Sequence, residues 1–212
     1  MFVVLHKSRR AAQKDAKVTE ELDDYYYSNP LRERAESQGR DRDIFPSRGI
    51  VLDSVRRALV DVVDRDQVLL ELSAHELAIV HRFGHYLESH LSNELAEHGL
   101  SVDLDYDRRG YMQKHLPERP DRDGSKRFRP DLIIHRRLDD SQNVLVVEWK
   151  KRATVPIIEL LEYRLQLLLS SQKDGDYGYR SGVIIDSGDD GVRWRAYDES
   201  GPIADWNAIE RL

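Results

Sequence analysis

The chain has 212 residues, 40% hydrophobic and 34% charged, with a net charge of -6, the composition of a soluble globular domain carrying an appendage. It contains no cysteine, which excludes disulfides, thiolate zinc sites and cysteine nucleophiles and agrees with a reducing compartment. No apolar run approaches a membrane span and Met1 to Leu5 is too short for a signal-peptide core, so the expected location is the cytoplasm.

Residues 1–49 read as a polar arm. Arg9 to Tyr27 has helix formers and charges but few apolar anchors, Ser28-Asn29-Pro30 breaks it, and Leu31 to Arg48 is almost wholly polar. Such a segment cannot bury a core alone, so it is expected to be a helical or flexible extension. It could dock on the main domain, on a second copy in a homodimer, or on another protein, with Tyr25-Tyr26-Tyr27 as an anchor. Residues 50–212 form the folded domain.

Gly49 to Val63 has the spacing of a short amphipathic helix, and Gln67 to Leu72 reads as an apolar bridge. Ser73 to His98 then predicts one long amphipathic helix. At about 100° per residue, Val80, Phe83, Leu87 and Leu91 fall within roughly 60° of Glu76, which puts an acid in the buried stripe. An acid there needs a partner, a hydrogen bond or a metal. Two readings stand: Glu76 is the third helical residue of a capping box opened by Ser73, or it is a metal ligand. His75 and His81 are too far apart around the helix for a zinc-protease motif, and His81 with His85 reads as a surface pair.

Leu100 to Tyr106 alternates as a strand, with Asp103, Asp105 and Asp107 on one face, either simply solvent-facing or an accessory metal locus. Between Arg108 and Arg129 there are eight Lys or Arg residues against three acids, and Pro117, Pro120 and Gly124 mark a loop or lid. Arg108, Arg109, Lys114, Lys126, Arg127 and Arg129 are the candidate nucleic-acid contacts, because phosphates nearing a carboxylate site need a basic counterweight.

Arg129-Pro130-Asp131-Leu132-Ile133-Ile134-His135 and Val144-Leu145-Val146-Val147-Glu148-Trp149-Lys150 read as antiparallel strands joined through the polar stretch Arg136 to Asn143. Alternation puts Val146, Glu148 and Lys150 on one face and Leu145, Val147 and Trp149 on the other. A loop centred between Asp139 and Asp140 sets Asp131 opposite Glu148. Two carboxylates about 5 Å apart repel by roughly 3 kcal/mol at an effective dielectric of about 20, so a cation should sit between them. A hard divalent ion fits, and Lys150 beside it can steady an attacking water or an anionic transition state. Pro156 to Ser171 predicts a helix on the sheet, with Tyr163 turned inward and Gln166 outward. Gly182 to Asp186 predicts a strand, Val192 to Tyr197 an edge strand, and Trp194 and Trp206 a cover for the margin.

The helix bearing Glu76, then Pro130-Asp131, then Glu148-Trp149-Lys150, resembles the PD-(D/E)xK nuclease superfamily, over residues 51 to 185. The runs Ala74 to Arg82 and Arg129 to His135 resemble a group of bacterial proteins of unassigned function on that core. The resemblance implies an α/β, restriction-endonuclease-like core in which helices flank a central mixed β-sheet in the order α-β-β-β-α-β. It also implies a magnesium-dependent nuclease, with manganese as a substitute; it names no substrate, and DNA is the favoured expectation. Asp131, Glu148 and Glu76 would be the metal ligands and Lys150 catalytic, with the Trp149 carbonyl as a further ligand. The alternative is an inactive module of the same fold that binds nucleic acid or a protein.

Overall fold

The computed structural model describes residues 45–72, 74–109, 112–117, 125–170, 177–188 and 191–209. Contacts divide the chain into Met1–Asp43 and Ile44–Leu212, and the second unit is the one described. Expectations about the arm up to residue 44, and about Ser73, Pro120 and Gly124, lie outside the described residues.

Helix α1 (Arg48–Arg65) begins two residues before the expected domain start, because the Ser47 hydroxyl accepts the Ile50 N–H at 3.3 Å and caps it. Its buried stripe, Val51, Val55, Leu59 and Val62, recurs every three or four residues. The expected bridge forms a short helix, α2 (Gln67–Glu71). The expected long helix is two, α3 (Glu76–His90) and α4 (Ser92–His98). Leu91 separates them: it leaves helical dihedrals at φ -107° while staying buried, and Leu95 then reaches the core too. Gly99, at φ 61°, ends α4 in a left-handed cap.

Strands β1 (Ser101–Leu104), β6 (Leu132–Arg136), β7 (Asp139–Lys151), β8 (Ser181–Gly188), β9 (Gly191–Asp198) and β10 (Gly201–Pro202) form the main sheet in that order, with β11 (Asn207–Ile209) also paired to β9. Among the described residues only β7 and β8 pair in parallel, and helix α5 (Val155–Leu169) makes the crossover such a pair requires. The domain is therefore a mixed α/β fold, a central sheet flanked by helices. Counting only strands of the main sheet, the order from α3 runs α3–α4, β1, β6, β7, α5, β8, with four short strands of the basic stretch between β1 and β6. Strand β9 is not an edge, since β10 and β11 pair with it beyond β8.

The sheet separates two apolar clusters. Helices α1 and α3 pack on one face against Leu145, Val147 and Trp149; α5 packs on the other against Ile133, Val146 and Ile184. The alternation along β7 is as expected from the sequence. Trp194 joins the first cluster and Trp206 packs against the second. The Phe83 and Trp149 rings lie 5.7 Å apart, and a Cβ on Gly84 would come within 3.1 Å of Leu132, so α3 rides close to the sheet.

The basic stretch is not a plain loop. It forms two small hairpins, β2 (Arg108–Arg109) with β3 (Met112–Gln113) and β4 (His115–Pro117) with β5 (Ser125–Arg127). Leu116 and the following Phe128 are buried in the α5-side cluster and tie the second hairpin to the domain.

Candidate functional site

The hairpin of β6 and β7 builds the site. Leu132 stands opposite Val147, and carrying that ladder one residue further sets Asp131 beside Glu148. The turn itself falls at Arg137–Leu138, earlier than a loop centred on Asp139 and Asp140. Register shifts on either side of His135 absorb the difference. Asp131 Oδ2 accepts the Trp149 N–H at 2.7 Å, and the Asp131 carbonyl accepts the Asp105 N–H at 3.1 Å. The residue is thus tied on both sides, its carboxylate to β7 and its backbone carbonyl to the residue that follows β1.

Lys150 gathers the cluster. Its Nζ donates to Glu76 Oε1 at 2.6 Å, to Asp131 Oδ2 at 3.3 Å and to the Trp149 carbonyl at 2.5 Å. An ammonium has three N–H donors, so these three oxygens match its full capacity. The strand acid, the helix acid and the lysine singled out from sequence therefore meet.

Glu148 is the exception within the group. It is 3% exposed, and its Oε1 has no hydrogen-bond partner. Burial, followed by the charge of Asp131, pushes its carboxyl up to about 8. Burial also raises Asp131, against the opposing pull of Lys150 and the Trp149 N–H. Burial works to lower the Lys150 ammonium, but the Asp131 charge and the Glu76 hydrogen bond outweigh it and the net shift is upward.

Glu76 is not the third residue of a capping box. Helix α3 begins at Glu76 itself, and the side chain of His75 caps it, Nδ1 accepting the Leu77 N–H at 3.3 Å. As the first helical residue, Glu76 carries its charge at the positive end of the helix dipole. Lys151 helps hold it there: its Nζ donates to the Ala74 carbonyl at 2.7 Å, tying the turn before α3 to the end of β7.

The basic residues fall into different places. Lys114 is 2% exposed, donates to the Tyr179 hydroxyl at 2.9 Å and lies 5.3 Å from the Tyr106 ring centre. At the junction of the two hairpins, between β3 and β4, it braces the fold rather than meeting a phosphate, a correction to its place among the nucleic-acid contacts. Arg129 is exposed and pairs with Asp105 at 2.8 Å, and Arg108 is exposed beside Asp107 at 3.5 Å. The side chains of Arg109, Lys126 and Arg127 lie outside the described residues.

Asp103, Asp105 and Asp107 do not pool their charge as an accessory metal locus. Asp103 takes His135 Nε2 at 2.9 Å and Arg137, while Asp105 and Asp107 pair with the arginines above. Burial would raise Asp103, yet hydrogen bonds from Arg137 and His135 hold it well below the usual carboxylate range. His81, His85 and Gln166 are exposed, as expected, and Tyr163 is half-buried.

Sequence reading missed the residues that fix the end of β7. Ser187 accepts the Trp149 indole N–H at 2.9 Å, and Asp186, 6% exposed, accepts the Ala153 N–H at 2.9 Å and the Arg193 guanidinium at 2.8 Å. Both lie on β8, parallel to β7, with Lys150 opposite Asp186. Which strand lies next to β7 is a long-range fact that local pattern does not carry.

No protein-family model, curated protein or solved structure matches the chain. Among the described residues, no three His, Asp or Glu side chains gather closely enough to hold an ion by themselves. In the present arrangement the ammonium of Lys150 stands among the acids. The oxygens around it, two carboxylates and a carbonyl, are nonetheless the ligand type of hard divalent cations, and the buried Glu148 Oε1, which has no hydrogen-bond partner, is a further oxygen of that type. The donor set fits magnesium or manganese. No helix among the described residues is long and apolar enough to cross a membrane.

Proposed function

We propose that this chain is a metal-dependent nuclease with a restriction-endonuclease-like core, hydrolysing phosphodiester bonds in nucleic acid, DNA foremost. The observation that carries this reading is the meeting of Asp131, Glu76 and Lys150 at one point beside the buried Glu148. A structural role alone gives no reason to bury Glu148 next to Asp131 with an oxygen unpaired, since that costs stability. The element order around β6 and β7 supports the same core.

Asp131, Glu148, Glu76 and the Trp149 carbonyl would hold magnesium or manganese. Such a cation, when bound, lowers the pKa of water and offsets charge on a phosphate. Asp131 is pre-oriented by the Trp149 N–H and Glu76 by the start of α3, so neither must be ordered on binding. Lys150 supplies a positive charge next to the acids, suited to orienting a water or meeting a phosphate oxygen. Arg108 and Arg129, exposed along the chain leading to Asp131, would draw the backbone of the substrate.

The test is cleavage of single- and double-stranded DNA and of RNA with magnesium or manganese, by wild type and by Asp131→Ala, Glu148→Ala and Lys150→Ala. Metal-dependent cleavage lost in all three variants supports the reading. Cleavage that survives all three contradicts it.

One observation favours a second reading, a non-catalytic module of this fold: Lys150 already offsets the acid charge without any metal. Calorimetry separates the two. A working site takes up manganese and loses it on Asp131→Asn; a retired one gives no heat in either protein.

A further inference from the structure

Lys150 and the proposed cation compete for the same atoms. The ammonium engages Glu76 Oε1, Asp131 Oδ2 and the Trp149 carbonyl at 2.6, 3.3 and 2.5 Å. These are three of the four groups assigned above to a metal, and the fourth, Glu148, is 3% exposed with an unpartnered oxygen. Lone pairs committed to an ammonium are not available to a dication, and two cations within one ring of oxygens repel each other. Lys150 has somewhere to go: its side chain is 27% exposed and sits on a flexible four-carbon stem.

We infer that Lys150 is a resident counter-cation which a divalent metal displaces, so that metal entry takes the oxygens from Lys150 and releases its ammonium toward the substrate. The inference rests on the nuclease reading above. It gives the site an order of assembly: without metal, Lys150 offsets the acids; with metal, the same lysine becomes free to act on a phosphate or a water.

The experiment is calorimetric titration of the full chain with manganese, for wild type, Lys150→Met and Arg152→Met. Arg152 is exposed two residues further on, so its variant removes a neighbouring positive charge while leaving Lys150 in place. Lys150→Met should bind manganese about tenfold tighter than wild type or better, equivalent to about 1.4 kcal/mol. Arg152→Met should stay within about threefold, since a screened, exposed charge acts weakly. Wild type that binds while Lys150→Met binds equally or more weakly overturns the inference and leaves the nuclease reading standing. Equal tightening in both variants overturns it as well, because the effect is then long-range charge. No binding in any of the three overturns both.

Should Lys150→Met fail to fold, nitrogen-resolved NMR of the lysine ammonium groups in wild type gives the same answer. Magnesium should shift the Lys150 signal or broaden it into solvent exchange. An unchanged signal when magnesium binding is complete overturns the displacement.

Discussion

The backbone N–H of Trp149 donates to the Asp131 side chain at 2.7 Å, so a carboxylate rather than a carbonyl closes the ladder of the β6–β7 hairpin at its open end. The acid is thereby part of the sheet's hydrogen bonding and part of the candidate site at once. Its removal should register in both.

Asp131→Ala leaves the Trp149 N–H and the Lys150 ammonium each short of an acceptor and should lower stability by about 1–3 kcal/mol. Asp131→Asn keeps an acceptor for the N–H and should cost less, while abolishing cleavage equally. Urea unfolding midpoints alongside the cleavage assay check both halves, and equal stability losses in the two variants would count against this role for the side chain.

Glu148 makes stability depend on pH with an unusual sign. Its carboxyl titrates near 4.5 when unfolded but is held at about 8 in the fold, so between those values the native state keeps a proton that the unfolded chain has lost. Stability is then fullest below about 4.5 and falls by about 1.4 kcal/mol per pH unit from this one group as pH rises toward 8. Asp131, also raised, acts in the same direction. Denaturant midpoints measured from pH 5 to 9 should fall for wild type, and Glu148→Gln should flatten the slope. An identical slope in the two proteins would refute the assignment.

Lys114 and Arg129 are both basic and close in sequence, yet should behave oppositely. Lys114→Ala removes a buried donor to Tyr179 and a cation beside Tyr106, an expected loss of about 2–3 kcal/mol. Arg129→Ala, an exposed pair, should change stability by less than about 1 kcal/mol while weakening nucleic-acid binding and its salt dependence. Thermal unfolding and binding at two salt concentrations separate the two.

Gly84 sets how closely α3 approaches the sheet. A Cβ there meets Leu132 at 3.1 Å and Leu104 at 3.5 Å, so Gly84→Leu should overpack the layer and cost about 1–3 kcal/mol. A change below about 0.5 kcal/mol in the urea midpoint would show that the layers have room to part.

Much of this arrangement was legible in the sequence because β-strand alternation is strict. Leu145, Val147 and Trp149 face α1 and α3 while Val146 faces α5, as parity requires. The pairing of Asp131 with Glu148 was also legible, but the turn beside it was not. Bulges at His135 let a turn at Arg137–Leu138 reach the same register, and a bulge leaves no mark in an apolar pattern. Charge was the poorest guide. Lys114 reads like its neighbours in a basic run, and only the folded packing of Tyr106 and Tyr179 shows that it is enclosed. Glu76 was placed on the right helix face but at the wrong helical position, because the side chain of His75, two residues past Ser73, provides the cap. The two small hairpins escaped notice because their strands are two or three residues long, too short for a period to declare itself.

The most direct test of the central claim is the anomalous difference map of a crystal soaked in manganese. The account predicts a peak bounded by Asp131, Glu148 and the Trp149 carbonyl, with the Lys150 ammonium withdrawn from Asp131. A map with no peak there at saturating manganese, and Lys150 still bonded to Glu76 and Asp131, would contradict it.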